Sequence, residues 1–355
     1  MHLLLHPARG CLSAIAAVYL LLSAGAATAN EARINQVRVL GSHNSYHPVP
    51  DAETLARWHA MKPGGYPNLE YGHPPLETQL DLGLRQIEID VFADSRGGLF
   101  ADTYPQGSAK AAVMARPGLK VMHIWKIDQR SNCLTLVECL AQVRKWSDAH
   151  PNHPLLTIFI NTNDIDPTHL DAAPEPMSAA SLDELDRTAR AAFGDRLLTP
   201  DELRAGAPTL RDAVLSRGWP TIDGSRGRIM MTLDVGPVLS DVYRQGHPSL
   251  SGRALFGFFP EADPEAAIFN IGDARTDGAR IQRLVKAGFI VRTRSDADTV
   301  EARAHDYSRL KAALASGAQI ISTDYYPGAP DPFGFHFTAS LNGRFEAPDE
   351  EAPIP

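Results

Sequence analysis

Cysteine is scarce, with three residues in 355. Cys11 lies in an apolar leader, so Cys133 and Cys139 are left. That excludes a disulfide-stapled miniature scaffold, and two thiols without a histidine pair at finger spacing exclude a zinc finger. An even pair in an exported chain is expected to close a short loop as a disulfide. Clusters of positive charge are also lacking: 34 basic residues face 42 acidic ones, a net charge of −8. Phosphate-backbone binding needs grouped Lys and Arg, so nucleic acid is excluded as a general partner. Beyond the leader no run is long and apolar enough to cross a bilayer. No glycine-rich phosphate loop follows the first strand signal, which counts against a doubly wound nucleotide-binding sheet.

What the chain does have begins with the leader. "CLSAIAAVYLLLSAGAATA" follows a head whose only charge is Arg9 and ends in Ala27-Thr28-Ala29, a small-x-small exit. This reads as a signal peptide over residues 1–29, cleaved before Asn30, giving a secreted or periplasmic protein. The other reading, an uncleaved anchor, needs a longer apolar core.

Short β-branched runs bounded by turns mark strands at Val37–Gly41, Gln86–Val91, Leu119–Ile124, Leu155–Asn161, Arg228–Leu233, Ala267–Ile271, Phe289–Thr293 and Gln319–Thr323. Ala254–Phe259 competes with the sixth. Helical stretches lie between them. "SLDELDRTARAAF" carries a Ser181/Glu184 capping box, and "ARIQRLVKAG" stops at Gly288. Strand–helix alternation over this length predicts an α/β fold, a single (β/α)8 TIM-type barrel across residues 30–345. Residues 47–75, rich in Pro, Gly and aromatics, are expected to form a long first βα loop over the barrel mouth, with Trp58, Tyr66 and Tyr71 as candidates for contact with a lipid surface. The tail, 346–355, is expected to be disordered.

Polar residues recur where strands end. His43 and Asn44 follow the first, Glu88 and Asp90 share one face of the second, His123 ends the third, and Asn161, Asn163 and Asp164 follow the fourth. C-terminal strand ends of a parallel barrel share one mouth, so these groups are expected to converge. Two carboxylates on one inward face need a metal or a base such as Arg85 to be buried. Two histidines beside a hard cation suit proton transfer to and from a phosphodiester. Oxygen donors from Asn44, Glu88 and Asp90 suit Ca2+ or Mg2+ rather than zinc. Lys126, Arg292, Arg294, Asp324 and Tyr326 are candidates for substrate contact, each weighed against plain packing or ion pairing. His150 and His153, in "AHPNHP", read as structural.

"GSHNSYH", "IEIDVF", "VMHIW" and "HPLLTIFINTND", with "GFIVRTRSD" and "SGAQIISTDYYP" later, together resemble the calcium-dependent phosphatidylinositol-specific phospholipases C, in particular a secreted bacterial branch of phospholipase-C-like phosphodiesterases. The resemblance spans nearly the whole mature chain. It implies His43 as general base, His123 as general acid, and Asn44, Glu88 and Asp90 as calcium ligands. The substrate implied is a phosphatidylinositol-like lipid, met by transient membrane contact and released as diacylglycerol and a cyclic inositol phosphate. The chain departs from the family at the fourth strand, where Asn161 stands for the usual Glu and Asp164 is the alternative ligand. Competing readings are a glycerophosphodiesterase, a sphingomyelinase-D-like phosphodiesterase, or a non-catalytic module binding inositol phosphates or lipid headgroups.

Overall fold

The computed structural model describes residues 32–162, 175–341 and 346–348. The leader, Asn163, Asp164 and most of the tail therefore lie outside the described residues. The strands are β1 (Val37–Ser42), β2 (Gln86–Phe92), β3 (Lys120–Val121), β4 (Leu156–Thr162), β5 (Leu197–Leu198), β6 (Ile229–Asp234), β7 (Phe256–Gly257), β8 (Ile268–Asn270), β9 (Ile290–Arg294), β10 (Ile320–Thr323) and β11 (Glu346–Pro348).

The sheet runs in the order β5-β6-β4-β2-β1-β10-β9-β8, and every step along it is parallel. It curls through 258°. The seam is narrow because β7 lies parallel on β6, and the single parallel bridge Phe258↔Ile268 spans from it to β8. The result is an incomplete barrel, an irregular TIM-type arrangement of the α/β class that the strand–helix alternation predicts.

Two strand expectations need correction. The third signal, Leu119–Ile124, is not a barrel stave. Only Lys120–Val121 is extended, and it pairs antiparallel with the end of β2 (Val91↔Val121, Phe92↔Lys120). Its apolar side chains are split: Leu119 and Val121 join the main apolar cluster, while Met122 packs in a satellite core with Phe92, Phe100, Tyr104, Met114 and Leu134. Its lysine is buried against Asp94 (2.9 Å). The missing stave is Ala254–Phe259, which supplies β7. At the C-terminus, Glu346–Pro348 is not disordered but pairs antiparallel with β1 at Val37–Val39.

On β2 the alternation works as read. Ile87, Ile89 and Val91 join the main apolar cluster, while Glu88 and Asp90, 2% and 1% exposed, occupy the other face. Helices cover the outside. Leu136–Ala149 starts at Thr135, whose side chain accepts from Glu138 N, and it buries Leu136, Leu140, Val143 and Trp146. Ala179–Phe193 is capped by Ser178 with Ser181 at the third position, one turn earlier than the expected Ser181/Glu184 box. Arg85 bonds the carbonyls of Leu80 and Leu84 and stacks on Trp146, while Glu88 pairs with Arg292 (2.7 Å). His150 and His153 are structural, as expected. His150 stacks on Trp146, and His153 bonds Ser147.

Candidate active site

The turn after β1 is held on β2. Ser45 N donates to Glu88 O (2.9 Å), and Glu88 N donates to Ser45 Oγ (2.8 Å). Asn44 adopts a left-handed backbone, φ 45°, which Asn tolerates better than most residues. This kink sends His43 and Asn44 in different directions. His43 Nδ1 donates to Asp324 Oδ1 (3.0 Å) at the end of β10, which leaves Nε2 facing Glu88 Oε1 at 3.8 Å. The Asn44 amide donates through Nδ2 to Tyr71 Oη (2.8 Å), while its Oδ1 is buried with no hydrogen-bond partner among the described residues.

His123 arrives by another route. Because β3 is short and antiparallel, His123 sits in a loop between β2 and the helix Leu136–Ala149, not at a barrel strand end. The bridge Ile124↔Asp128 and a left-handed Lys126, φ 66°, fold that loop tightly. The helix Ala52–Met61 then latches it, with Arg57 donating to the carbonyls of Lys126 and Ile127, and Trp58 Nε1 to Ile127 O. Trp58 and Tyr71, expected at a lipid surface, are 1% and 3% exposed and belong to this scaffold.

Inside the loop, Asp128 Oδ2 accepts from His123 Nδ1 (3.0 Å) and from His47 Nε2 (2.6 Å). His47 stacks on Tyr71 (4.6 Å between centroids) and meets His123 edge-on (5.8 Å), while Tyr71 lies 6.1 Å from His43. Both predicted histidines therefore open on one mouth, their side chains 18% and 17% exposed.

The two imidazoles are biased in opposite directions. Burial, then Arg294, drives the His43 pKa well below 6.5 against the pull of Glu88. Burial also pulls His123 down, but the Asp128 hydrogen bond and charge, with Asp90 and Asp324, outweigh it and raise the pKa. Asp128 itself is pushed up by burial and pulled further down by the two imidazoles, ending well below the usual carboxylate range. Asp324 is pushed up by burial, with Arg294 and the histidines opposing.

The remaining candidates divide. Arg294 bonds Asp324 Oδ2 (3.1 Å) and Asp296 O (2.8 Å) behind His43. Arg292, 4% exposed, spans the barrel to Glu88 Oε2 (2.7 Å), Asn270 Oδ1 (3.0 Å) and Ser322 Oγ (3.0 Å), so it is committed to the interior rather than to a phosphate. Tyr326 is buried, stacked on His73, and donates to His73 Nδ1 (3.2 Å), so it is not a face for a sugar ring. Lys126 is exposed over the Trp125 ring (4.1 Å). Asn161 pairs in register with Asp90 on one side and Asp234 on the other. Cys133 and Cys139 form the expected disulfide. Sequence reasoning missed His47, Asp128, His73 and Asp234. The second histidine of "HNSYH" was the one available signal.

Two donor sets can take a metal ion. Asn44, Glu88, Asp90 and Asn161 offer only oxygen, and the orphaned Asn44 Oδ1 is a buried lone pair that such an ion would satisfy. His47, His123 and Asp128 place one ligand atom each within 4.8 Å of one another. Two imidazoles and one carboxylate are softer donors than a calcium site uses.

A parallel barrel with two carboxylate-backed histidines beside buried oxygen donors defines an acid–base hydrolase. A sequence profile of the family described as phosphoinositide phospholipase C, Ca2+-dependent, matches residues 32–347, and the chain belongs to that family of phosphoric diester hydrolases. Among solved structures it is similar to a calcium-dependent phosphoinositol-specific phospholipase C from a Pseudomonas species in its myoinositol complex. The identity is 15%, covering 90% of this chain and 96% of that one, with a TM-score of 0.57. It is also similar to the Ca2+-dependent enzyme of Streptomyces antibioticus, at 19% identity over 83% and 96% of the chains, with a TM-score of 0.55. No curated protein matches. No helix among the described residues is long and apolar enough to cross a membrane.

Proposed function

We propose that the chain is an exported phosphodiesterase that cleaves phosphatidylinositol-like lipids, with His43 as base and His123 as acid. The observation that carries this reading is the pair of Asp–His couples, Asp324–His43 and Asp128–His123, at one mouth with opposite protonation bias. Environments that push two titratable groups apart assign one to take a proton and the other to give it. His43, held neutral with Nδ1 on Asp324, takes the proton of the attacking inositol hydroxyl at Nε2. His123, held cationic by Asp128, delivers a proton to the departing diacylglycerol oxygen as the cyclic phosphodiester forms. Water then reverses the roles: His123 takes its proton, and His43 protonates the reopening ring oxygen. Asn44, Glu88, Asp90 and Asn161 would hold Ca2+, which when bound neutralises phosphoryl charge and acidifies the hydroxyl. His73 supports the base from behind, donating to His43 O (2.8 Å). Export is supported by the leader, since the family match begins only at residue 32.

The test is a phosphodiester panel assayed with Ca2+, with Mg2+ and with chelator, comparing wild type with His43→Ala and His123→Ala. Expected is cleavage of phosphatidylinositol through a cyclic product, abolished in both variants. Turnover of diesters lacking a vicinal hydroxyl, such as phosphatidylcholine or bis(4-nitrophenyl) phosphate, would instead indicate direct hydrolysis.

A further inference from the structure

The oxygen-donor set is short of charge. Asn161 is neutral, and one Glu88 oxygen is taken by Arg292 at 2.7 Å. Hard cations of this class take six or more oxygens, and their affinity depends on how many are charged.

The neighbouring strand supplies what is missing. β2, β4 and β6 lie side by side, and Asp90, Asn161 and Asp234 stand in one register row across them. Residues in register on adjacent parallel strands project from the same face, so Asp234 shares the inward face of Asp90. Two strand spacings place its backbone roughly 10 Å from that of Asp90. Two carboxylates at that span can meet one cation between them, with bonds of about 2.3–2.6 Å and Asn161 underneath.

Asp234 is also aimed. Asn270 Nδ2 donates to its Oδ2 (2.9 Å), Asn270 Oδ1 accepts from Arg292 Nη1 (3.0 Å), and Arg292 Nη2 reaches Glu88. This arc ties Asp234 back to Glu88 across the barrel. Among the described residues, the Asn270 bond is the only side-chain hydrogen bond Asp234 makes, so one carboxylate oxygen is available. The orphaned Asn44 Oδ1, in a residue 1% exposed, independently marks a ligand at this mouth.

We propose that Asp234 provides the carboxylate that the fourth-strand position lacks, so that the divalent-cation site comprises Asn44, Glu88, Asp90 and Asp234 around Asn161. This rests on the oxygen-donor reading of the metal site given above.

The test is calorimetric titration with CaCl2 and thermal melting with and without Ca2+, on wild type, Asp90→Asn, Asp234→Asn and the double variant Asn161→Glu/Asp234→Asn. Expected is Ca2+ binding weakened at least 10-fold in Asp234→Asn, a smaller Ca2+-induced rise in Tm, and recovery of both in the double variant. Wild-type affinity in Asp234→Asn, with affinity lost in Asp90→Asn, overturns the Asp234 assignment alone. No binding by wild type, or binding unaffected in Asp90→Asn, overturns the oxygen-donor reading and Asp234 with it. If Asp234→Asn melts early in chelator, the double variant decides: wild-type affinity there supports the assignment, and its absence overturns it.

Discussion

Asp128 does two jobs with one oxygen atom: it fixes the ring of His123 and keeps that ring charged. Replacing it with Asn keeps the shape and removes the charge. Burial then dominates, and the His123 pKa falls. A general acid loses activity as pH rises through its pKa, so the alkaline limb of the kcat/KM profile should move to lower pH in Asp128→Asn, and kcat should drop by about 10²-fold or more. The acid limb, set by His43 with its lowered pKa, should stay in place. A profile that moves on both limbs, or on neither, would separate Asp128 from this role. At this scale the sequence was readable where residues sit in strands or directly follow them: His43, Asn44, Glu88 and Asp90 all reach the mouth. Asp128 was not readable, because its partnership with His123 depends on one left-handed residue, Lys126, and a single bridge, and these leave no periodicity.

Two elements fix the height of His43 in the mouth. One is the close approach of β1 to β2, where Gly41 faces Gln86; a β-carbon on Gly41 would lie 2.7 Å from Gln86 Cβ and closer still to its amide. Gly41→Ala should cost about 1–3 kcal/mol by crowding, read as a lowered urea midpoint, with activity falling further than stability because the His43 turn follows directly. The other is the join between the ends of β9 and β10. Asp296 accepts from Thr323 Oγ1 (2.5 Å) and from Asp324 N (3.0 Å). Burial and the nearby Asp324 push its pKa up to about 6. Between the ordinary value of 3.8 and about 6 the folded protein binds a proton that the unfolded chain has released. Stability should therefore fall as pH rises through that window, by an amount of order 2–3 kcal/mol, and Asp296→Asn should flatten the dependence. The element scale is also where sequence reading failed. Leu119–Ile124 is as apolar and β-branched as a stave, but only Lys120–Val121 is extended and it pairs antiparallel with the end of β2, and nothing local distinguishes the two uses. Conversely, β7 is two residues long, too short to outrank its neighbour.

For the whole molecule, strand–helix alternation was enough to give the barrel, because a parallel sheet is the arrangement that buries so many apolar strands under helices. The seam was not legible, since it depends on which short strands fail to pair. The Cys133–Cys139 disulfide closes the segment that follows Asp128, at 5.2 Å between α-carbons. Replacing both cysteines with Ser should cost about 2 kcal/mol. The loss should appear as a lower Tm in oxidising buffer, with wild type matching the variant once reduced. A variant as stable as oxidised wild type would assign the bridge no role in the fold.

The antiparallel pairing of Glu346–Pro348 with the base of β1 has a practical consequence. This short strand clips the same stave that leads into His43 at its far end. Shortening the protein to residue 345 should leave that stave fraying from below, visible as accelerated amide exchange at Val37–Val39, while a fusion appended after Pro355 should leave it protected.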